Sequence, residues 1–137
     1  MGRWVRMSAA VTAPCSKLDA AAAELGFAKI DLLKIDTEGH ELAVLQGAKQ
    51  LLERGAIDVI QFEFNEMNVI SRVYMRDFMQ LLADFRFFRL LPTGAMPMDA
   101  YDPRVMEIFA FQNIACVRRD LDSQWVVGVP FAAAGAS

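Results

Sequence analysis

Acidic side chains stand at the ends of two apolar segments, together with the only histidine of the chain. Asp36 and Glu38 follow the first segment and Glu63 ends the second. Such a group can orient a hydroxyl or amine substrate, accept its proton, or bind a divalent metal together with His40. We predict these roles: catalytic for Asp36, Glu38 and His40; substrate-binding for Lys34, Glu63 and Asn65.

The elements around these residues decide whether they can meet. The apolar segment Ile30–Asp36 predicts a buried strand of the parallel kind, with Lys34 and Asp36 on one face because side chains alternate along a strand. In open α/β sheets, ligands bind at the carboxyl ends of the strands. A lysine inside a covered sheet needs a counter-ion, and we expect Glu63 or Asp36 to provide it.

The same residues also allow plain structural interpretations. Asp36, Thr37 and Glu38 stand where acids and hydroxyls cap a helix and favour its dipole. A histidine in the first turn of a helix is commonly exposed, and Glu63 is explained equally well as the counter-ion of a lysine. Spacing alone does not separate these alternatives.

Hydrophobic spacing and turn residues predict the remaining elements. They are a helix over Lys17–Leu25 capped by Ser16, a helix over His40–Arg54, a strand over Ile57–Phe64, a helix capped by Ser71, a strand over Phe85–Leu91, a loop over residues 92–104 and a strand over Val105–Val117. The polar face of the second helix, which includes Glu41, is predicted to face solvent. Residues 4–13 could form an edge strand.

Alternating strands and helices favour an α/β fold with a mostly parallel sheet, a final antiparallel strand and helices on the faces. We expect one domain over residues 1–118 and a C-terminal tail over residues 119–137. In that tail, Trp125–Phe131 is apolar enough to dock, whereas Ala132–Ser137 is expected to be disordered.

Composition excludes several classes of partner. The 137 residues carry a formal charge of −3, which leaves no basic surface for nucleic acid. No segment approaches the roughly 20 apolar residues of a membrane span, and no signal peptide is evident. Cys15 and Cys116 are too few for a disulfide framework, so we expect reduced thiols and a cytoplasmic protein. The acidic cluster also leaves open a metal-dependent hydrolase.

The segment LLKIDTEGHELAVLQGA resembles the signature of the FkbM-type methyltransferases, which are O-methyltransferases that depend on S-adenosylmethionine. Further similarity lies in Leu18-Asp19 before it, in Gln61–Phe64 after it, and in the closing Gln112-Asn113-Ile114. Together these segments cover about residues 11–117. The resemblance implies a Rossmann-like sheet, a small-molecule hydroxyl substrate, and a reaction centre near Asp36 and Glu38.

In that family the cofactor is held chiefly by a glycine-rich turn and an acid that precede this signature. The eight glycines of this chain form no such cluster. The resemblance therefore implies a truncated methyltransferase domain, inactive or dependent on a partner. A truncated sheet would expose the edge of the strand Ile30–Asp36, so we expect a homo-oligomer, such as a dimer. The alternative is a non-catalytic domain that associates with itself.

Overall fold

A computed structural model of the chain describes residues 12–121, which form five strands and six short helices. The strands are β1 (Ile30–Ile35), β2 (Ile57–Phe64), β3 (Phe85–Leu91), β4 (Gly94–Pro97) and β5 (Gln112–Arg118). The helices are α1 (Leu18–Glu24), α2 (Glu41–Gln46), α3 (Lys49–Glu53), α4 (Met67–Ser71), α5 (Met75–Leu81) and α6 (Pro103–Met106). The predicted edge strand over residues 4–13 falls almost wholly outside the described residues, as do both tail segments.

The five strands form one sheet in the order β1-β2-β5-β3-β4. β1 pairs with β2 in parallel, whereas β5 runs antiparallel to both β2 and β3. β1, β2 and β3 consequently point in the same direction, and their carboxyl ends lie at one edge of the sheet. The α/β class and the antiparallel final strand are confirmed.

The prediction of a mostly parallel sheet needs correction. Of the four pairings among the described residues, only β1 with β2 is parallel. The reason is that β5 inserts between β2 and β3, and that β4 folds back on β3 as a hairpin. Alternation of strands and helices along a sequence does not reveal such an insertion. The Rossmann-like arrangement stays a prediction.

Alternation along β2 builds the main core. Ile60, Phe62 and Phe64 are fully buried, and the rings of Phe62 and Phe78 of α5 stack with centroids 4.3 Å apart. Apolar residues of α1, α2, α3, α5 and α6 belong to this cluster, whereas no residue of α4 does. A second cluster on the opposite face, around Phe88 and Val117, contains no residue of a described helix. Helices on both faces of the sheet are therefore not seen in residues 12–121.

The predicted helix over His40–Arg54 is divided into α2 and α3. The side chain of Asp19 in α1 accepts hydrogen bonds from the backbone amides of Gln50 (2.9 Å) and Leu51 (3.0 Å). An acid that binds the first amides of a helix caps it, so α3 begins anew after Gly47-Ala48. The cap comes from a residue 31 positions away.

The predicted cap at Ser71 is also wrong. Ser71 is the last residue of α4, and α5 begins at Met75. The carboxylate of Glu107 accepts hydrogen bonds from the amides of Met75 (2.9 Å) and Arg76 (3.1 Å). The cap of Ser16 is not seen either, because Lys17 occupies the N-cap of α1.

Two further boundaries differ from the sequence prediction. The expected loop over residues 92–104 contains β4 and the start of α6, and the last strand begins at Gln112 rather than Val105.

Both cysteines are free thiols, with Cys15 exposed and Cys116 buried. Within residues 12–121, no helix is long and apolar enough to cross a membrane.

Candidate functional site

The loop over residues 36–40, between β1 and α2, turns sharply through two consecutive residues with positive φ. Glu38 has φ 52° and Gly39 has φ 97°, a conformation that side chains other than hydrogen disfavour. A Cβ atom on Gly39 would lie 3.0 Å from the carbonyl oxygen of Met67. The loop therefore packs directly on the start of α4, and only glycine fits at its centre.

Glu41 holds this loop in place. Its side chain is only 1% exposed. Its carboxylate accepts hydrogen bonds from the amide of Thr37 (2.9 Å), the hydroxyl of Thr37 (3.1 Å) and the amide of Gly39 (3.0 Å). Burial of a carboxylate is tolerated when donors surround it in this way.

The prediction that Glu41 faces solvent is therefore wrong. It rested on helical periodicity, which places Glu41 on the polar side of α2, but Glu41 is the first residue of that helix and turns back onto the loop. A sequence signal was present, since a glutamate in the first turn of a helix commonly reaches back to preceding backbone amides.

The acidic residues of the two parallel strands meet at the carboxyl edge of the sheet. The register places Ile35 opposite Phe62, so Asp36 and Glu63 follow at the same level. Partial burial of Glu63 raises the pKa of its carboxyl, and the nearby charges of Asp36 and Glu38 raise it further. The two strands that end in acids are parallel neighbours, as the prediction required, and the charges of Asp36 and Glu38 act on Glu63. A shared site of the three acids and their chemical roles stay predictions.

Lys34 does not lie inside a covered sheet. β1 is an edge strand of the described sheet, and the side chain of Lys34 is 57% exposed. Its Nζ lies 4.0 Å from Oδ2 of Asp36, and its charge lowers the pKa of Glu63 against the effect of the acids. Lys34 is thus the cation of the acidic group, at its solvent side.

His40 and Asn65 lie close to this group in sequence, with different surroundings. His40 is exposed at the N-cap of α2, and its Nδ1 lies 3.4 Å from the carbonyl oxygen of Thr37. Asn65 is 8% exposed and its Oδ1 already accepts the amide of Met67 at 2.9 Å. The backbone amide of Asn65 also donates a hydrogen bond to Oδ1 of Asn68. Within residues 12–121, neither side chain forms a hydrogen bond or an ion pair with Asp36, Glu38 or Glu63.

Comparison with known proteins identifies the family. Residues 6–88 match the methyltransferase FkbM domain, which is more than half of the chain. The chain belongs to the FkbM methyltransferase family. The match contains β1, β2 and the acidic edge, and it ends before β4 and β5. No curated protein and no solved structure matches the chain significantly.

FkbM methyltransferases use S-adenosylmethionine, a cofactor that contains a nucleoside. A nucleotide-like cofactor is usually held by free backbone amides at a helix start. In the loop before α2, the amides of Thr37 and Gly39 are already bound by Glu41. After β2, the amides of Asn65 and Met67 are bound by asparagine side chains. These four amides are therefore not free to hold the cofactor.

The described residues also offer no preformed metal site. Within residues 12–121, no group of three or more histidine, cysteine, aspartate or glutamate side chains is arranged to hold a metal ion. The acidic edge is accordingly an electrostatic feature of the sheet, where a hydroxyl or a cationic group would be stabilised.

Proposed function

We propose that this chain provides the acceptor side of an O-methyltransferase that depends on S-adenosylmethionine. The observation that carries the proposal is the convergence of Asp36, Glu38 and Glu63 at the carboxyl edge of β1 and β2, within the segment that matches the family. In an O-methyl transfer, the acceptor hydroxyl must be oriented and must lose its proton.

Glu63 is the proposed proton acceptor. Its carboxyl has a raised pKa, so its affinity for a proton is greater than that of an ordinary carboxylate. Asp36 and Glu38 produce part of that shift and can bind other hydroxyls of the acceptor. The positive charge of Lys34 offsets part of the negative charge of this group. Catalysis by His40 and substrate binding by Asn65 remain part of the proposal.

The cofactor site is proposed to be completed outside the described residues, by another polypeptide or by other parts of this chain. S-adenosylmethionine would supply a methyl group on a positively charged sulfur. The chain alone should therefore bind it weakly, with a dissociation constant near or above ~1 mM, since a binding energy of about 4 kcal/mol is what a few contacts provide.

Calorimetry and product analysis test this function. The full chain is titrated with S-adenosylmethionine and then incubated with small hydroxyl acceptors at millimolar cofactor, while S-adenosylhomocysteine is measured. We expect weak binding heat and slow product formation that the Glu63→Gln variant loses. An absence of both heat and product at millimolar cofactor would reject methyl transfer by this chain alone, and product formation that the Glu63→Gln variant retains would reject the proposed role of Glu63.

One observation favours a second function, that of a non-catalytic domain that associates with itself. Among the described residues β1 pairs with β2 alone, and Leu32 on this edge strand is 58% exposed. An open edge with exposed apolar residues is a site where another chain can add a strand. Self-association without cofactor binding would favour this function.

A further inference from the structure

A cleft at the carboxyl edge of the sheet lies beside the acidic group. Its volume is about 530 Å³, and its walls come from β2, β3, β5 and the turn after β3. Such a volume is within the range of small-molecule sites. Most of its lining residues lie beyond residue 88, outside the segment that matches the family.

One wall of the cleft consists of side-chain amides. Gln61 donates a hydrogen bond from Nε2 to Oδ1 of Asn113 at 3.3 Å. Within residues 12–121, neither side-chain amide forms another hydrogen bond. Asn113 is the cross-strand partner of Glu63, and Gln61 shares the face of Glu63 because it precedes it by two residues. The amide pair is thus continuous with the acidic edge.

Another part of the lining is apolar and open to solvent. Phe111 is 63% exposed and Leu91 is 38% exposed, and both line the cleft together with Leu90 and Pro92. An exposed aromatic ring beside amide and carboxylate groups provides a flat apolar surface next to donors and acceptors.

The charges around the cleft are mixed, because Arg89 lines the cleft and the acids of the sheet edge adjoin it. The guanidinium of Arg89 donates from Nη2 to the carbonyl oxygen of Val105 at 2.7 Å, whereas its buried Nε has no hydrogen-bond partner among the described residues and can donate to a ligand hydroxyl. Lys34 is paired with Asp36. The adjoining acids would repel a phosphate or carboxylate. A ligand with several hydroxyl groups and no charge satisfies both walls.

We propose that this cleft binds a saccharide, with the C–H face of the ring on Phe111 and its hydroxyls on Gln61, Asn113 and Glu63. The inference deepens the proposed function, because a sugar hydroxyl that reaches Glu63 would be the methyl acceptor. Amides suit this ligand since each one both donates and accepts hydrogen bonds.

The binding test uses the full chain without cofactor. The ¹⁵N-labelled protein is titrated with methyl glycosides of several hexoses and deoxyhexoses, and the side-chain amide signals of Gln61 and Asn113 are followed by NMR. We expect these signals to shift at millimolar glycoside. Cyclohexylmethanol, a ring with one hydroxyl, and glucose 6-phosphate should shift them at least about fivefold less.

Variants locate the site. Phe111→Ala should weaken glycoside binding about fivefold, as expected for loss of one stacking partner. Asn113→Ala should weaken it at least as much. Phe27→Ala is the matched control, since Phe27 is 53% exposed and does not line the cleft. Circular dichroism checks that each variant is folded, and Phe111, being largely exposed, keeps the test valid if Asn113→Ala is unstable.

Each result decides the proposal. No shift with any glycoside, an equal response to cyclohexylmethanol, or unchanged binding by Phe111→Ala would overturn it. Because the measurement needs no cofactor, glycoside binding without methyl transfer would refute the proposed function and leave the saccharide site intact. Methyl transfer to a hydroxyl acceptor that is unaffected by Phe111→Ala would support the proposed function and refute the saccharide site.

Discussion

Glu41 is the residue on which the geometry of the acidic edge depends. Its carboxylate binds the amides of Thr37 and Gly39 and thereby fixes the two left-handed residues of the loop. Glu38 is one of those two residues, so the direction of its side chain depends on the bonds that Glu41 forms. This residue contacts no ligand itself and acts through the loop.

Glu41→Gln should reduce the free energy of unfolding by about 2 kcal/mol, because an amide N–H would be forced against backbone N–H groups in a buried place. Urea unfolding followed by circular dichroism measures the change. The control is Glu53→Gln, where the exposed carboxylate pairs with Lys49 at 3.7 Å and the change should stay within about 0.5 kcal/mol. Equal losses in the two variants would contradict the proposed role of Glu41.

Glu63 should destabilise the fold in its ionised form. Its folded pKa is raised above the ordinary value of 4.5, so the folded state binds the proton more tightly than the unfolded state. Stability therefore falls as the pH rises through the folded pKa, the reverse of the usual behaviour of a paired carboxylate.

Glu63→Gln should accordingly stabilise the protein at pH 7, by on the order of 0.5 kcal/mol once solvent screening of this partly exposed group is considered. The gain over wild type should vanish as the pH is lowered below about 4.5, where Glu63 itself becomes neutral. Thermal unfolding of both proteins between pH 3.5 and 7 measures this. A variant that is less stable than wild type at pH 7 would show that Glu63 is favourably paired.

At the scale of elements, the starts of two helices are fixed by acids distant in sequence. Asp19 caps α3 and Glu107 caps α5, each across more than 30 residues. These bonds join α1 to α3 and the α6 region to α5. They explain why local signals did not separate α3 from α2. At α5 a local signal was also present, because Asp77 accepts the amide of Tyr74 at 2.8 Å, and the prediction of a cap at Ser71 missed it.

The edge strand β1 carries the prediction of self-association. If β1 pairs with a second copy, the full chain should sediment as a dimer at micromolar concentration, and Leu32→Lys should convert it to a monomer because charged residues block edge pairing. Leu25→Lys is the control, since Leu25 is 67% exposed at the C-cap of α1 and belongs to no strand. A wild-type monomer at micromolar concentration would refute the proposed oligomer.

At the scale of the whole molecule, the two ends of the sheet differ in how their charges are paired. At the amino end of β2, the buried Asp58 forms ion pairs with Lys29 and with Arg118 of β5. At the carboxyl end, Lys34 pairs with Asp36 and acts on Glu63, whose pKa is nevertheless raised by Asp36 and Glu38. Paired buried charges hold strands together, whereas unbalanced acids at a strand end favour binding.

The sequence determined the features that arise from local periodicity. β1, β2 and β3 were predicted within one residue of their bounds, because runs of apolar residues bounded by glycine and polar residues favour strands whatever surrounds them. The meeting of Asp36 and Glu63 was also predictable, because parallel neighbours end at the same edge. The family followed from the signature around Asp36.

The tertiary structure alone decided which distant residues meet. Helical periodicity placed Glu41 in solvent, but the fold buries it under a loop whose amides need its carboxylate. The insertion of β5 between β2 and β3 formed the cleft by placing Phe111 and Asn113 beside Gln61, which is 52 positions away from Asn113 in the chain. Burial and strand order depend on long-range packing, and no local pattern of residues specifies them.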